Sequence, residues 1–513
     1  MEHAIRPLDA AAIGLYLLAM VAAGIYFARK NDTTEAYFVG NRNFSGWVLG
    51  LSMLGTIVSS ATFLALPAAA YVLDWRQLNV NLVLPFVAVL AVLVFIPFFR
   101  QGNLTTAFEY LGRRYGAAPR VYGTLSFILM QVIRMAQILF LVSLPIQVLT
   151  GAPMTAVIVA CGLFIAFYTI AGGIEAVVWT DVIQAIILML GGAICFCVIA
   201  FDLPGGFRQI FEVGAAQDKF SLGSFDWNLH ERTFWTVAIL GVINWLAIYG
   251  GDQNMVQRYA AARSTREARK ATILYSVIAL PLWIMFFFVG TSLFVYFQAF
   301  PDPAVAALES DQVLPYFILN RVPAGIAGIM IAAVMAAAMS SLDSGINAIS
   351  TVTVVDLLRP WIAPGREDRF YLRAARLVAS AVTMLVVIGA ITFSYLPKES
   401  MNDVSLIVTS VFGGCLMGLF MLGFFTTRVD GFAATIAMFL AILFNIYLAL
   451  GLAGKLPAAI TLEIHSYWTG ALVNGVFLIC AYAIGCLRGN TRDLAGLTIW
   501  TTSSENETVT PLK

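Results

Sequence analysis

Stretches of about 20 apolar residues recur along this chain from residue 10 to residue 487, separated by short polar breaks. A helix of about that length is what crosses the roughly 30 Å hydrocarbon core of a bilayer. The pattern predicts spans near 10–28, 46–73, 79–99, 121–149, 153–172, 177–201, 233–257, 271–297, 315–353, 371–394, 402–426, 431–451 and 465–487, about thirteen transmembrane helices. The first stretch, Ala10 to Ala28, has no basic leader, runs straight into Arg29-Lys30 and is too long for a signal-peptide core, so it is expected to stay in the chain as a helix. The fold class is an all-α polytopic membrane protein.

Two spans interrupt their own pattern. Residues 46–73 carry Gly55 and Pro67 around Thr56-Ile57-Val58-Ser59-Ser60-Ala61-Thr62, and residues 233–257 carry Gly241, Gly250 and Gly251 beside Asn244 and Asp252. Counted from the second span, these are the first and sixth helices of a set of ten. Broken helices at matching places in two halves predict a five-plus-five inverted-repeat core, in which half-helix ends hold solute and ion near the midplane. Close helix packing accounts for any single glycine as well, and it is the matched placement that favours a transporter. The expected organisation is an extra helix and loop over 1–45, a transport core over 46–427, two further helices over 428–487 and a tail over 488–513.

The chain is 60% hydrophobic and 12% charged, with a net charge of +1. With the N-terminus outside, basic residues cluster in the cytoplasmic breaks: Arg29, Lys30 and Arg42; Arg100, Arg113, Arg114 and Arg120; Arg258, Arg263, Arg266, Arg269 and Lys270; Arg359, Arg366, Arg369, Arg373 and Arg376; then Arg428, Arg488, Arg492 and Lys513. Only Arg6, Arg208, Lys219, Arg232, Arg321, Lys398 and Lys455 fall outside. This bias predicts a cytoplasmic C-terminus and explains the basic residues without a nucleic-acid partner. The lipid bilayer is the expected surrounding. The near absence of long loops, with every complete Asn-x-Thr tripeptide on the cytoplasmic side, fits a bacterial inner membrane. All six cysteines lie in or at the ends of apolar spans without metal-ligand spacing, and the three histidines sit at or near segment ends, which excludes a histidine proton relay. No phosphate loop, zinc-ligand pair or nucleophile-histidine arrangement points to an enzyme. A passive channel or a membrane solute sensor are the rival classes. The sequence has no repeated filter motif for the first, and only about 25 residues after the last span for the second.

Within this apolar background, Met339-Ser340-Ser341-Leu342-Asp343-Ser344-Gly345-Ile346-Asn347 is a dense polar run. A charge at mid-bilayer costs roughly 2.5 kcal/mol or more, so an acid among hydroxyls points to a bound cation. Arg134, in Gln131-Val132-Ile133-Arg134-Met135-Ala136-Gln137, is too deep to reach either surface and needs an anion. A solute carboxylate would serve, as would a structural pairing with Asp74, Asp181 or helix-end carbonyls.

Four motifs in order resemble those of the sodium/solute symporters, the group that includes bacterial sodium/galactose, sodium/proline and sodium/sialic acid symporters. They are Thr106-Ala107-Phe108-Glu109-Tyr110-Leu111-Gly112-Arg113-Arg114-Tyr115-Gly116, Gly172-Gly173-Ile174-Glu175-Ala176-Val177-Val178-Trp179-Thr180-Asp181-Val182-Ile183-Gln184, Gln257-Arg258-Tyr259-Ala260-Ala261-Ala262-Arg263 and Ala336-Ala337-Ala338-Met339-Ser340-Ser341-Leu342-Asp343-Ser344. The resemblance implies alternating-access symport coupled to Na+. It implies a sodium site of backbone carbonyls at Gly55, Val58 and Ala337 with the hydroxyls of Ser340 and Ser341. Small residues bonding back to their own helix are the alternative for the two serines. Some members hold a second sodium, and the matching positions here are Asp181, Ser340, Asp343 and Ser344, with Asp343 departing from the family's hydroxyl. The solute is implied to lie among Ser59, Ser60, Thr62, Phe63, Asn244, Trp245, Ile248 and Tyr249. Ile57 and Ala61 stand where galactose-transporting members carry polar residues. Arg134 resembles the arginine that grips the carboxylate in sialic acid members. The expected partner is thus a small polar solute, a sugar acid such as sialic acid or another carboxylate, with a neutral sugar or polyol as the alternative. The unit is expected to work as a monomer.

Overall fold

The computed structural model of the protein describes residues 6–28, 33–102, 104–395, 413–490 and 492–501. Its helices in chain order are α1 (Pro7–Ala28), α2 (Gly46–Ile57), α3 (Leu66–Val72), α4 (Arg76–Gln101), α5 (Ala107–Tyr115), α6 (Ala117–Thr150), α7 (Met154–Asp202), α8 (Phe234–Gly251), α9 (Gln253–Ala261), α10 (Thr265–Ala299), α11 (Ile326–Val352), α12 (Asp368–Phe393), α13 (Leu416–Phe425), α14 (Gly431–Leu452) and α15 (Thr469–Arg488). Among the described residues, ten helices are long and apolar enough to cross a bilayer, or eleven with the bent segment of α2 and α3 taken as one span. Two shorter apolar helices, Met154–Phe167 and Leu416–Phe425, lie where two further spans were expected, so the count of thirteen is not reproduced as such. The expected span at 402–426 lies outside the described residues up to 412, as does the tail from 502 onward.

The spans expected at 153–172 and 177–201 are both helical, and α7 comprises the two, separated by a non-helical break at Gly173 (φ 54°, ψ −161°). There the chain takes a left-handed turn against Tyr37, whose carbonyl would sit 3.0 Å from an added Cβ. α7 packs most extensively on α11, and α2 on both α7 and α10, so these helices form the centre of the bundle. α11 is buried along almost its whole length. Its N-terminal amides at Gly325 and Gly328 both donate to the buried Asp9 carboxylate of α1, at 2.7 and 2.8 Å, satisfying donors that lipid could not.

Both predicted breaks are present, but the glycines do not make them. α2 ends at Ile57, Val58 is extended (ψ 106°), and α3 follows at 61° to α2 through a widened turn over Ala61–Ala65. Pro67 has no amide proton to offer the Phe63 carbonyl, which accounts for the widening. α8 ends at Gly251, and Asp252 (ψ 126°) starts α9 as its cap, accepting from the Asn254 amide at 2.8 Å. Gly241, Gly250 and Gly251 are close-packing positions. A Cβ on Gly241 would lie 2.5 Å from the Val80 carbonyl, and one on Gly251 2.3 Å from the Phe420 ring.

Two basic residues expected in cytoplasmic loops are instead buried. Arg114 on α5 donates to the carbonyls of Thr426 and Val429, both at 2.8 Å, closing the end of α13. Arg258 on α9 is described below. Lys219, in the segment between α7 and α8, is also buried. Its ammonium donates to the carbonyls of Tyr71 (2.7 Å) and Leu73 (2.8 Å) at the end of α3 and lies 3.9 Å above the Phe294 ring. Burial pulls it below the usual lysine range.

Candidate ion and solute sites

Because α2 stops at Ile57, its last carbonyls have no amide one turn further on to accept from. Two of them point at α11. The Ser340 hydroxyl donates to the Gly55 carbonyl at 2.7 Å, and the Ser341 hydroxyl to the Thr56 carbonyl at 3.0 Å. Both hydroxyls also lie near the Ala337 carbonyl of their own helix, at 3.2 and 3.4 Å. Five oxygens, from Gly55, Thr56, Ala337, Ser340 and Ser341, thus converge in a buried spot. Gly55 packs tightly there. An added Cβ would meet the Asp181 carbonyl at 3.1 Å and the Ser340 Cβ at 3.4 Å, so that α7 would have to give by a few tenths of an ångström. Hydroxyls and carbonyls without sulfur or nitrogen are the donor set of a hard cation, so the residues present fit sodium. Four of the five expected ligand residues meet here. Val58 marks the helix end, and it is the Thr56 carbonyl, which sequence reasoning missed, that meets Ser341.

One turn along α11 the arrangement differs from expectation. Asp181 on α7 and Ser344 on α11 do come together, but around the guanidinium of Arg258. Its Nη2 donates to Asp181 Oδ2 at 2.8 Å and to Ser344 Oγ at 2.7 Å, its Nε to Ser52 Oγ at 2.9 Å, and its Nη1 to the Asn254 carbonyl at 2.9 Å. Ser52 in turn donates to Asp181 at 2.6 Å. The chain thus supplies its own cation where a second sodium was expected. Asp181 Oδ1 is buried and accepts no hydrogen bond among the described residues. Asp343 is the third residue expected at this second site. The Asp343 carboxylate is buried within electrostatic reach of Tyr16 on α1, whose hydroxyl meets Met339 Sδ and Gln184 Nε2 at 3.3 Å each. Positions 343 and 344 differ by about 100° around a helix, and the two faces meet different neighbours. Thr56 links the two clusters, its carbonyl meeting Ser341 and its hydroxyl meeting Ser344 at 2.9 Å.

Beside the break between α2 and α3 lies a cavity of about 230 Å³. Ser59, Thr62, Asn244, Trp245, Ile248 and Arg134 line it, as do Ile57, Gln77, Asn81, Gln137, Trp283 and Asn474. Three expected wall residues are turned away. Ser60 donates to the Ile138 carbonyl at 3.1 Å, Phe63 is buried against Phe286, and the Tyr249 hydroxyl meets Ser276 at 2.9 Å. Trp245 and Trp283 pack with ring centroids 5.4 Å apart, tilted 47° to one another, and form an aromatic wall. The alternative partners for Arg134 are already engaged, Asp74 by Arg76 at 2.7 Å and Asp181 by Arg258. Arg134 donates no hydrogen bond to protein among the described residues. The acid that acts on it electrostatically is Asp252, which also lines the cavity.

Missing Arg258 had an identifiable cause. It stands in the third motif, but the positive-inside count absorbed it as a loop charge.

Comparison with known proteins agrees with this architecture. The family model described as "Sodium:solute symporter family" matches residues 37–441. A sodium/sialic acid symporter of Proteus mirabilis is 33% identical over 83% of this chain and 86% of its own length. One of Aliivibrio fischeri is 32% identical over 83% and 85%. Sodium-coupled monocarboxylate transporter 1 of Xenopus laevis is 28% identical over 91% and 77%. Among solved structures, a substrate-bound outward-open Na+-coupled sialic acid symporter superposes with a TM-score of 0.87 at 30% identity, covering 95% of this chain and all of the other. Mhp1, a nucleobase-cation-symport-1 transporter, shares the fold with a TM-score of 0.52 at 15% identity, over 89% of this chain and 94% of its own.

Proposed function

Because the chain belongs to the sodium:solute symporter family, and is therefore a sodium-coupled membrane transporter rather than an enzyme, we propose that it imports a sugar acid, with sialic acid the first candidate. The observation that carries this reading is the Arg134 guanidinium, which faces a solute-sized cavity without a hydrogen-bonded protein partner among the described residues. A guanidinium binds carboxylate with two parallel donors. Ser59, Thr62, Asn81 and Asn244 would meet the hydroxyls of a sugar ring, and the Trp245–Trp283 wall would meet its apolar face.

The driving ion sits at Gly55, Thr56, Ala337, Ser340 and Ser341. Sodium entering down the membrane potential releases about 2.3 kcal/mol per charge per 100 mV, beside its concentration term. The ion ties the end of α2 to α11, and the cavity wall begins at the next residue, Ile57. Sodium therefore favours the arrangement in which α2 is held and the cavity is formed, without touching the solute. By linkage, solute tightens sodium by the same factor. Arg258 already neutralises Asp181, which supports one sodium per cycle. The protein works as a monomer in a bacterial inner membrane, with its N-terminus outside and its C-terminus cytoplasmic, in keeping with the basic residues at the cytoplasmic breaks.

The test is uptake of labelled sialic acid into proteoliposomes, with and without an inward sodium gradient, by wild type and Arg134→Gln. Sodium-driven uptake that the variant loses is the expected result. Equal uptake by both proteins would sink the carboxylate anchor.

A further inference from the structure

The cavity holds two opposite charges, and only one has been given a role. Asp252 lines it together with Arg134, yet no ion pair within 4.0 Å joins them among the described residues. Asp252 Oδ1 is taken by the amide and side chain of Asn254, at 2.8 and 2.9 Å. The Met255 amide also acts on this carboxylate, but a carboxylate has about four acceptor sites, and Asp252 still lines the cavity with acceptor capacity to spare. A residue that served only as the cap of α9 would need no charge, since asparagine caps as well as aspartate. A bare carboxylate gripped by Arg134 would place its own negative charge in the same small space as Asp252, with little water between them. A solute that also presents a hydroxyl or ammonium proton would instead use that spare acceptor capacity.

We propose that Asp252 is a specificity-determining residue, which accepts a hydrogen bond from the solute and discriminates against carboxylates that have no donor to give. The substrate class is then a carboxylate carrying hydroxyl or ammonium donors on the side away from the acid group. This rests on the carboxylate reading of Arg134 and sharpens it, because carboxylate transport alone leaves open whether simple monocarboxylates are carried.

The experiment is sodium-driven uptake of sialic acid and of propionate by wild type, Asp252→Asn and Arg134→Gln. Asp252→Asn keeps the cap on α9 and removes only the charge. Wild type is expected to prefer sialic acid, and Asp252→Asn to raise the propionate-to-sialic-acid ratio of Vmax/KM by about tenfold, the order set by one nearby charge in a low-dielectric pocket. An unchanged ratio, or wild-type uptake of propionate as efficient as that of sialic acid, overturns the proposal for Asp252. Loss of all acid uptake in Arg134→Gln accompanies either result if the anchor reading stands. If Arg134→Gln transports both acids normally, the carboxylate reading itself has failed, and the assignment of Asp252 falls with it.

Discussion

Replacing Ser341 with alanine removes one oxygen of the ion site and also a latch between helices, and the structure lets the two effects be weighed. An oxygen bonded to an ion is worth about 1.5–3 kcal/mol. Without sodium the same hydroxyl donates to the Thr56 carbonyl at 3.0 Å, a neutral bond worth about 1 kcal/mol. The variant loses both, so the net weakening of sodium binding is the difference, about 0.5–2 kcal/mol. Half-saturation by sodium should therefore rise about 2- to 30-fold, with maximal uptake restored at high sodium. At a fixed, sub-saturating sodium concentration the apparent solute affinity falls through the same coupling. The assay is initial-rate uptake in proteoliposomes against a sodium titration. Ser350→Ala is the control. Ser350 lies further along α11 and donates to the Ala375 carbonyl at 2.8 Å, so its loss removes a comparable bond far from the ion. A sodium dependence in Ser341→Ala that matches wild type, or an equal shift in Ser350→Ala, would refute the site.

The same titration in wild type should give a Hill coefficient near one, because Arg258 occupies the second cation position; a value near two would put another ion on Asp181 Oδ1. Arg258→Met leaves the Asp181 carboxylate buried without its cation, a loss of about 3–5 kcal/mol, and thermal unfolding in detergent should show it. Adding Asp181→Asn should recover much of that stability, and a double variant no more stable than the single one would count against the pair. Gly290→Val should abolish folding, since even a Cβ there would lie 2.2 Å from the Pro67 carbonyl, whereas Gly475→Ala, with nothing within 4 Å, should leave the unfolding temperature unchanged.

Hydrophobic length made the spans legible, and the two breaks were found from their polar and glycine content, though for a partly mistaken reason. Gly241, Gly250 and Gly251 drew attention to α8, while the break itself is the work of Asp252, whose side chain replaces a helical hydrogen bond. Ser340 and Ser341 could be placed because their spacing from Ala337 is a local property of one helix. The partner carbonyl at Thr56 could not, because it depends on where α2 stops, to within one residue. Ser60, Phe63 and Tyr249 were assigned to the solute wall for being near the breaks in sequence, but side-chain direction changes by about 100° per helical residue, and each points elsewhere. Burial of Arg114 and Arg258 was hidden for a related reason. A basic residue next to an apolar span reads as a loop charge until the tertiary fold brings it a carboxylate or a set of free carbonyls.

Lys219 ties a segment between spans to the end of α3 by hydrogen bonds to Tyr71 and Leu73, and the same segment reaches the start of α4, where Ser221 accepts from the Trp75 amide at 3.0 Å and Leu222 from Asn79 at 2.8 Å. Half-helix and loop therefore travel together as one mechanical body. Gln217, two residues from the ammonium and exposed, rides on that body at its watery rim. A fluorophore carried there would turn a tilt of α3 deep in the bilayer into a signal at the surface, so that the opening and closing of the cavity could be followed in real time without any label touching the path of the solute.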